Sequence, residues 1–242
     1  MKYYYDLHIH SALSLCADND MTPQNIAAMA KLAQLDIIAV SDHNSAGNAL
    51  SVSKASAAMN GPLVVPAVEL TTSEDIHILL LFRNIDGAQS AWNEIREKQS
   101  LKIPNKPEKY GYQYFMDEND CITGEEPTVL SFAIDISADD AAAFARKHGG
   151  IAIPAHADKP ANSIISVLGD VPDEAGFTAV ELTQNAPPSL RESLIKRGYH
   201  ILSNSDSHFL GIMNERSSLN AIDLPELSTN ALIDKLSKME NG

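Results

Sequence analysis

Most histidines in this sequence sit where a short apolar run gives way to polar residues, and their spacing suits metal binding. His8 and His10 close the first such run, separated by Ile9. On an extended strand, residues two apart point to the same face, so these two imidazoles converge on one point. Asp206 and His208 repeat the spacing with a carboxylate and an imidazole. His43 follows a second run in Ser41-Asp42-His43-Asn44, and Glu69 follows a third. His77 lies at the start of a fourth run, just after a turn, and His156 follows a later one in Pro154-Ala155-His156. A single histidine at such a place is ordinarily structural, but six histidines and two acids at strand ends point to a metal site. Imidazole and carboxylate in mixture suit zinc, manganese or iron. His148, before Gly149-Gly150, and His200, entering a run, fall outside the pattern and read as structural.

The elements that must position these groups alternate along the chain. Strands are expected at Tyr3 to Ile9, Asp36 to Val40, Leu63 to Val68, Ile76 to Phe82, Ile151 to Ile153, Thr178 to Leu182 and His200 to Leu202. Helical spacing of apolar residues fills most of the intervals. Thr22 is a candidate N-cap with Pro23 at the first helical position, opening a helix that carries Ile26, Met29, Ala30 and Ala33. Further helices are expected near 46–59, 87–98, 138–148, 163–168, 190–197 and 227–239. Alternation of strand and helix implies a parallel sheet, and about seven strands imply an α/β barrel rather than an open sheet. In such a barrel the functional groups collect at the C-terminal ends of the strands. Residues 100–127 break the rhythm with Pro104, Pro107, Gly111, Gly124 and Pro127, and read as an inserted loop or small hairpin in one domain spanning 1–242.

A 44% hydrophobic fraction over 242 residues can bury a full core. The opening Met1-Lys2-Tyr3-Tyr4-Tyr5-Asp6 has no apolar stretch of signal-peptide type, and Ile78 to Phe82 is too short to span a bilayer, so a cytoplasmic protein with no membrane partner is expected. Two cysteines cannot make a disulfide framework. The formal net charge of −14 repels polyanions, and duplex nucleic acid is not expected as a partner. The oligomeric state is not legible in the sequence.

Asp6-Leu7-His8-Ile9-His10-Ser11, Ser41-Asp42-His43, Glu69, Pro154-Ala155-His156 and Asp206-Ser207-His208 together resemble, in order, the four motifs of the PHP (polymerase and histidinol phosphatase) family. The resemblance implies a distorted barrel of seven strands, two or three divalent metal ions and hydrolysis of phosphate esters. It implies that His8, His10, Glu69 and Asp206 hold one metal. Glu69 would bridge to a second, completed by His77 and His156. His43 and His208 would hold a third, with one ligand from the loop after His10. There the sequence departs from the family pattern: the acid usual five residues after the second histidine is Leu15 here. Counting back from Thr22-Pro23 favours Asp18 as that ligand, with Cys16 and Asp20 as alternatives.

The chemistry this implies is in-line attack by metal hydroxide on phosphorus, acting through Asp206, His208 and Glu69, with no covalent intermediate. Three divalent cations against Asp18, Glu69, Asp206 and a hydroxide leave a surplus of about two positive charges, suited to a phosphate dianion. Lys159, on the loop after His156, and Arg216 are candidate phosphate-binding cations, and Asp42 is a candidate for orienting a ligand. Lys98, Lys102, Lys106 and Lys109, beside Tyr110, Tyr112, Tyr114 and Phe115, could steer and stack a nucleotide or could simply be a solvated face and packing aromatics. A small phosphomonoester, including a nucleotide, is the favoured substrate. A phosphodiesterase or exonuclease on short nucleic acids, a non-catalytic metal-stabilised module and a C–N hydrolase are the competing readings.

Overall fold

A computed structural model of the protein describes residues 1–240. In chain order the elements are β1 (Lys2–Ile9), α1 (Pro23–Leu32), β2 (Ile37–Val40), α2 (Ala49–Ala58), β3 (Leu63–Thr71), β4 (His77–Phe82), α3 (Ile85–Lys98), α4 (Pro107–Tyr110), β5 (Tyr114–Met116), β6 (Ile122–Glu125), α5 (Ala138–Lys147), β7 (Gly150–Pro154), α6 (Ile164–Leu168), β8 (Ala179–Glu181), α7 (Pro188–Lys196), β9 (His200–Leu202), β10 (Ala221–Asp223) and α8 (Thr229–Leu236). Helix α1 starts as the sequence predicts, with Pro23 in its first turn and the Thr22 side chain accepting from the Asn25 N–H.

Six strands form one sheet in the order β10-β1-β2-β3-β4-β7, and β8 and β9 form a parallel pair. Backbone hydrogen bonds continue the wall: Ala157 N–H to the Glu181 carbonyl (2.8 Å) on one side, and Ser207 N–H to His8 and His10 N–H to Ser207 (3.1 and 2.9 Å) on the other. The result is the distorted barrel of seven strands, β1 to β4 and β7 to β9. β10 is an addition the sequence did not signal, antiparallel to the first residues of β1.

The expected all-parallel sheet is corrected at one strand. β4 runs antiparallel to both β3 and β7. Only a tight turn joins β3 to β4: Thr72 N–H bonds the Ile76 carbonyl (2.9 Å), and Asp75 takes φ +65°. A parallel return would need a crossover of a dozen residues or more. The reversal puts the start of β4, and therefore His77, at the barrel end where the other strands finish.

Side-chain alternation sets what points inward. Ile37 and Ala39 of β2, Val65 and Ala67 of β3, Leu79 and Leu81 of β4, and Ile151 and Ile153 of β7 share one buried cluster, closed by Leu232, Ile233 and Leu236 of α8. Two residues further along the same stripes come Glu69 on β3 and His77 on β4. In β1, Tyr5 and Leu7 belong to that inner cluster, but Ile9 packs with Ile38, Val40 and Val64 beneath α1. The register of β1 on β2 shifts between Asp6 and Ile9. An irregularity of this kind reverses side-chain parity, and it turns His8 and His10 inward.

Residues 100–127 contain the one-turn α4 and the hairpin β5–β6. The hairpin is tied to the barrel by Tyr114 N–H to the Ala12 carbonyl (2.9 Å) and by Asn48, whose amide binds Tyr114 and Met116 backbone groups. Phe115 fills the space over Gly47, where a Cβ would lie 2.5 Å from its ring. Phe115 therefore packs the insertion down, while Tyr112 and Tyr114 stack on each other (ring centres 5.0 Å, 10° between planes), with Tyr112 exposed. Lys98, Lys102, Lys106 and Lys109 are exposed.

Candidate metal centre

Glu69 is the hub. Its Oε1 lies 3.0 Å from His77 Nδ1, 3.2 Å from His8 Nε2 and 3.3 Å from His156 Nε2. Its Oε2 lies 2.8 Å from His43 Nδ1 and 3.5 Å from His10 Nε2. The residue is buried, yet neither oxygen makes a hydrogen bond, and His43 Nδ1 and His156 Nδ1 are unpaired as well. Buried polar groups are ordinarily paired, so a cluster of unpaired ones asks for a missing partner. His8 Nε2 and His10 Nε2 stand 3.2 Å apart, each 3.3 Å from Asp206 Oδ1. Five imidazoles around one dry carboxylate are the donor set of a borderline divalent cation. The residues present therefore fit the metals that the sequence implied.

The electrostatics follow from this crowding. Burial alone would raise Glu69, but the imidazoles of His77, His8 and His43 hold its carboxyl well below the usual range. Burial opposes Asp206 too, and His8 with His10 overrides it. His8 is raised well above its ordinary value, because Glu181, Asp206 and Glu69 outweigh its burial. His43 is likewise pushed up to about 10 against burial, by Glu69 first. His10 goes the other way, to about 3: burial dominates, and His43 and His208 repel its charged form.

A second layer fixes the rings. Glu181, at the end of β8, accepts from His8 Nδ1 (3.1 and 3.2 Å), from the His156 backbone N–H (2.8 Å) and from Asn204 (2.7 Å). Sequence reasoning passed over it, although the signal was there: an acid ending an apolar strand, as at Glu69. Asp42 accepts from the Ser11 N–H and hydroxyl and from the Ser14 hydroxyl, whose Oγ lies 3.0 Å from His10 Nδ1. Asp42 thus orients His10 through Ser14. Asp6, buried beneath the site, accepts from the Ser205 N–H and hydroxyl and from the Asn214 N–H. It pins the loop that carries Asp206 to β1. His156 and Asp206 both take left-handed backbone, φ +31° and +51°. Such conformations in non-glycine residues cost free energy and persist where surroundings impose them.

A further grouping brings together His10, Cys16, His43 and His208. Asp18 does not join it. Its side chain is exposed, with Oδ1 accepting from the Asp20 N–H (2.9 Å). It is the Asp18 backbone that matters, since its N–H bonds the His208 carbonyl (2.9 Å). Asp20 is exposed as well. Cys16 is an exposed residue, and although partial desolvation would raise its thiol, hydrogen bonding to His208 and His43 lowers it to about 7.

Lys159 reaches the Asp206 carboxylate and, with Cys16, His43, His77 and His156, lines a cleft of about 370 Å³ over the cluster. Arg216 is elsewhere: its guanidinium lies 3.9 Å from the centre of the Tyr4 ring, near the start of β1. Lying eight residues after His208 does not bring it to the cleft, because Tyr4 at the opposite end of the strand captures it. His148 bonds Ser90 and Glu94, and His200 bonds the Lys238 carbonyl and meets Glu240, so both are satisfied structurally.

By fold the chain is a distorted α/β barrel, similar to those of several solved structures. Among solved structures it resembles Endonuclease Q of Pyrococcus furiosus, described as a lesion-specific endonuclease (TM-score 0.66, 19% identity, 98% of this chain and 56% of that one). It matches equally an Endonuclease Q complex with a 27-mer duplex bearing an abasic lesion at the active site (TM-score 0.65, 18% identity, 99% and 58%). A Bifidobacterium adolescentis protein assigned as a metal-dependent phosphoesterase matches over nearly its whole length (TM-score 0.66, 17% identity, 97% and 96%). A two-domain Bacteroides vulgatus protein described as containing a PHP-like metal-dependent phosphoesterase also matches (TM-score 0.58, 15% identity, 98% of this chain and 63% of that one). The chain thus spans just over half of the Endonuclease Q chains. No protein-family model and no curated protein matches the sequence.

The duplex complex overturns one expectation. Net charge disfavours duplex nucleic acid, yet Endonuclease Q, which shares this fold over 58% of its chain, is seen in complex with a duplex. A whole-chain charge of −14 says little about the local potential at a site where cations would gather. Among the described residues, no helix is long and apolar enough to cross a membrane.

Proposed function

We propose that this chain is a PHP-family, metal-dependent hydrolase of phosphate esters, acting in one domain whose hairpin insertion flanks the site. The observation that carries the reading is Glu69, buried and without a hydrogen bond among five imidazoles. His8, His10, Glu69 and Asp206 would hold one metal, Glu69, His77 and His156 a second, and His43 and His208 part of a third. When bound, divalent cations of this kind supply nucleophile activation at neutral pH and neutralise phosphoryl oxygens.

The chain's own groups do the rest. Glu181 keeps the His8 ring turned so that Nε2 faces Glu69 and Asp206. The Asp42–Ser14 pair does the same for His10. Lys159, over the cleft beside Asp206, offers a mobile cation to a phosphate oxygen. A cleft of about 370 Å³ is of a size for a small phosphomonoester or nucleotide. A phosphodiester at the end or within a nucleic acid is the second reading, favoured by the fold shared with Endonuclease Q.

The deciding experiment is a hydrolysis screen on metal-repleted protein with generic mono- and diesters, nucleoside monophosphates, single-stranded oligonucleotides and a duplex with an abasic site. Turnover of any class that disappears in His8→Ala and Asp206→Ala supports the reading and selects the ester. Full metal loading with no turnover in any class contradicts it.

A further inference from the structure

The loop that ends β1 departs from the acid-bearing pattern, and the side chain it brings to the cluster is a thiol. We propose that Cys16 is a thiolate ligand of the site formed with His43 and His208, beside His10, and that it gives this position a preference for zinc over manganese. The inference rests on the metal-centre reading above and adds a ligand to it.

One donor atom from each of Cys16, His43 and His208 lies within 4.8 Å of the others, close enough to share one ion, with His10 at the same distance on the side of the first metal. The three come from separate parts of the fold: the loops after β1, β2 and β9. His43, nine-tenths buried, carries an Nδ1 with no hydrogen bond beside Glu69, so this ring too is short of a partner. The Cys16 loop is built rather than slack. Ser14 N–H bonds the Ser11 carbonyl (3.0 Å), Ala17 N–H the Ser14 carbonyl (2.8 Å) and Asp18 N–H the His208 carbonyl (2.9 Å). That last bond ties the two outermost ligands, Cys16 and His208, to each other's loops. The same bond leaves the Asp18 carboxylate facing solvent, so no acid competes for the place.

Chemistry gives the selectivity. A thiolate is a soft donor, favouring zinc, whereas manganese and magnesium prefer oxygen ligands. One Cys with two His gives zinc three protein ligands and leaves its fourth position open. Because Cys16 and His208 border the open cleft, the site keeps access for a substrate oxygen.

Cobalt(II) alone is the probe, added to metal-free wild-type protein. Thiolate bound to cobalt shows a sulfur-to-metal charge-transfer absorption in the near ultraviolet. The expected result is that band in wild type and in Cys121→Ser, whose Cys121 lies exposed in the hairpin, and its loss in Cys16→Ser while the visible ligand-field bands persist. The zinc-over-manganese preference of Cys16→Ser falls at least about tenfold. Cobalt bound without the band, or a band that survives Cys16→Ser, overturns the thiolate and leaves the metal centre standing. No cobalt bound at all overturns both.

Discussion

The inner face of this barrel is built twice from the same strands. Toward the α8 end it is dry: Val65, Ala67, Leu79, Leu81, Ile151 and Ile153 interlock with Leu232 and Leu236. One step further along, the same inward stripes carry Glu69, His77 and Glu181, joined by His8 and His10 from β1. Apart from His77, which is partly exposed, both layers are buried, so burial hardly distinguishes them. The floor satisfies itself by packing, and the rim leaves polar atoms unpaired. The floor carries stability, and the rim trades stability for a binding task.

Breaking the rim at its centre should have the largest effect. Glu69→Gln keeps the shape and removes the charge that five imidazoles surround. Turnover should fall by more than the roughly 100-fold ascribed to partners in the second layer of a metal site, with metal content falling alongside. Steady-state kinetics beside elemental analysis reads both. Turnover within tenfold of wild type would mean that Glu69 is not the hub.

The floor should answer differently. Leu79→Ala leaves a cavity in a fully buried site and should cost about 2–5 kcal/mol of unfolding free energy. Metal stoichiometry in the folded protein should not change. Denaturant unfolding and metal analysis on the same sample separate the two. A variant that loses metal while keeping its stability would erase the contrast.

A smaller effect is expected one layer out. Glu181→Gln keeps hydrogen bonds to His8 and Asn204 possible but removes the charge, and should weaken metal binding about 10- to 100-fold. Chelator competition measures this. An unchanged affinity would make Glu181 a strand-end carboxylate with no say in the site.

The smallest effect is on protons. His8 is raised well above its ordinary value and His43 to about 10, so both hold protons at neutral pH in the metal-free protein. Metal needs the neutral ring, so binding should release protons, and affinity should rise as pH rises toward about 10 and fall in acid. Calorimetry in two buffers of different ionisation enthalpy should show a buffer-dependent heat. Equal heats would mean that the rings are already neutral.

The contrast between floor and rim also marks what the sequence made legible. Strand ends bearing histidine were readable because chemistry and period coincide there, as at His8, His10 and His43. The reversal of β4 was not read, because alternation of elements says nothing of direction, yet the short Thr72–Asp75 link carried that information. The parity change in β1 that turns His8 inward depends on register, which no single strand encodes. Arg216 stacks on Tyr4 instead of reaching the cleft, because closeness in sequence to His208 is not closeness in space. Asp18 and Cys16 are two residues apart on an irregular loop, and only the hydrogen bonds of that loop decide which one faces His43 and His208.

The most direct test of the account is metal stoichiometry. Purified protein, stripped with chelator and repleted separately with zinc, manganese and iron, would be measured by elemental mass spectrometry beside Glu69→Gln. The account predicts about two or more equivalents per wild-type chain with at least one of these metals, and a clear drop in the variant. Less than about one equivalent with every metal, in a protein that is still folded, would contradict it.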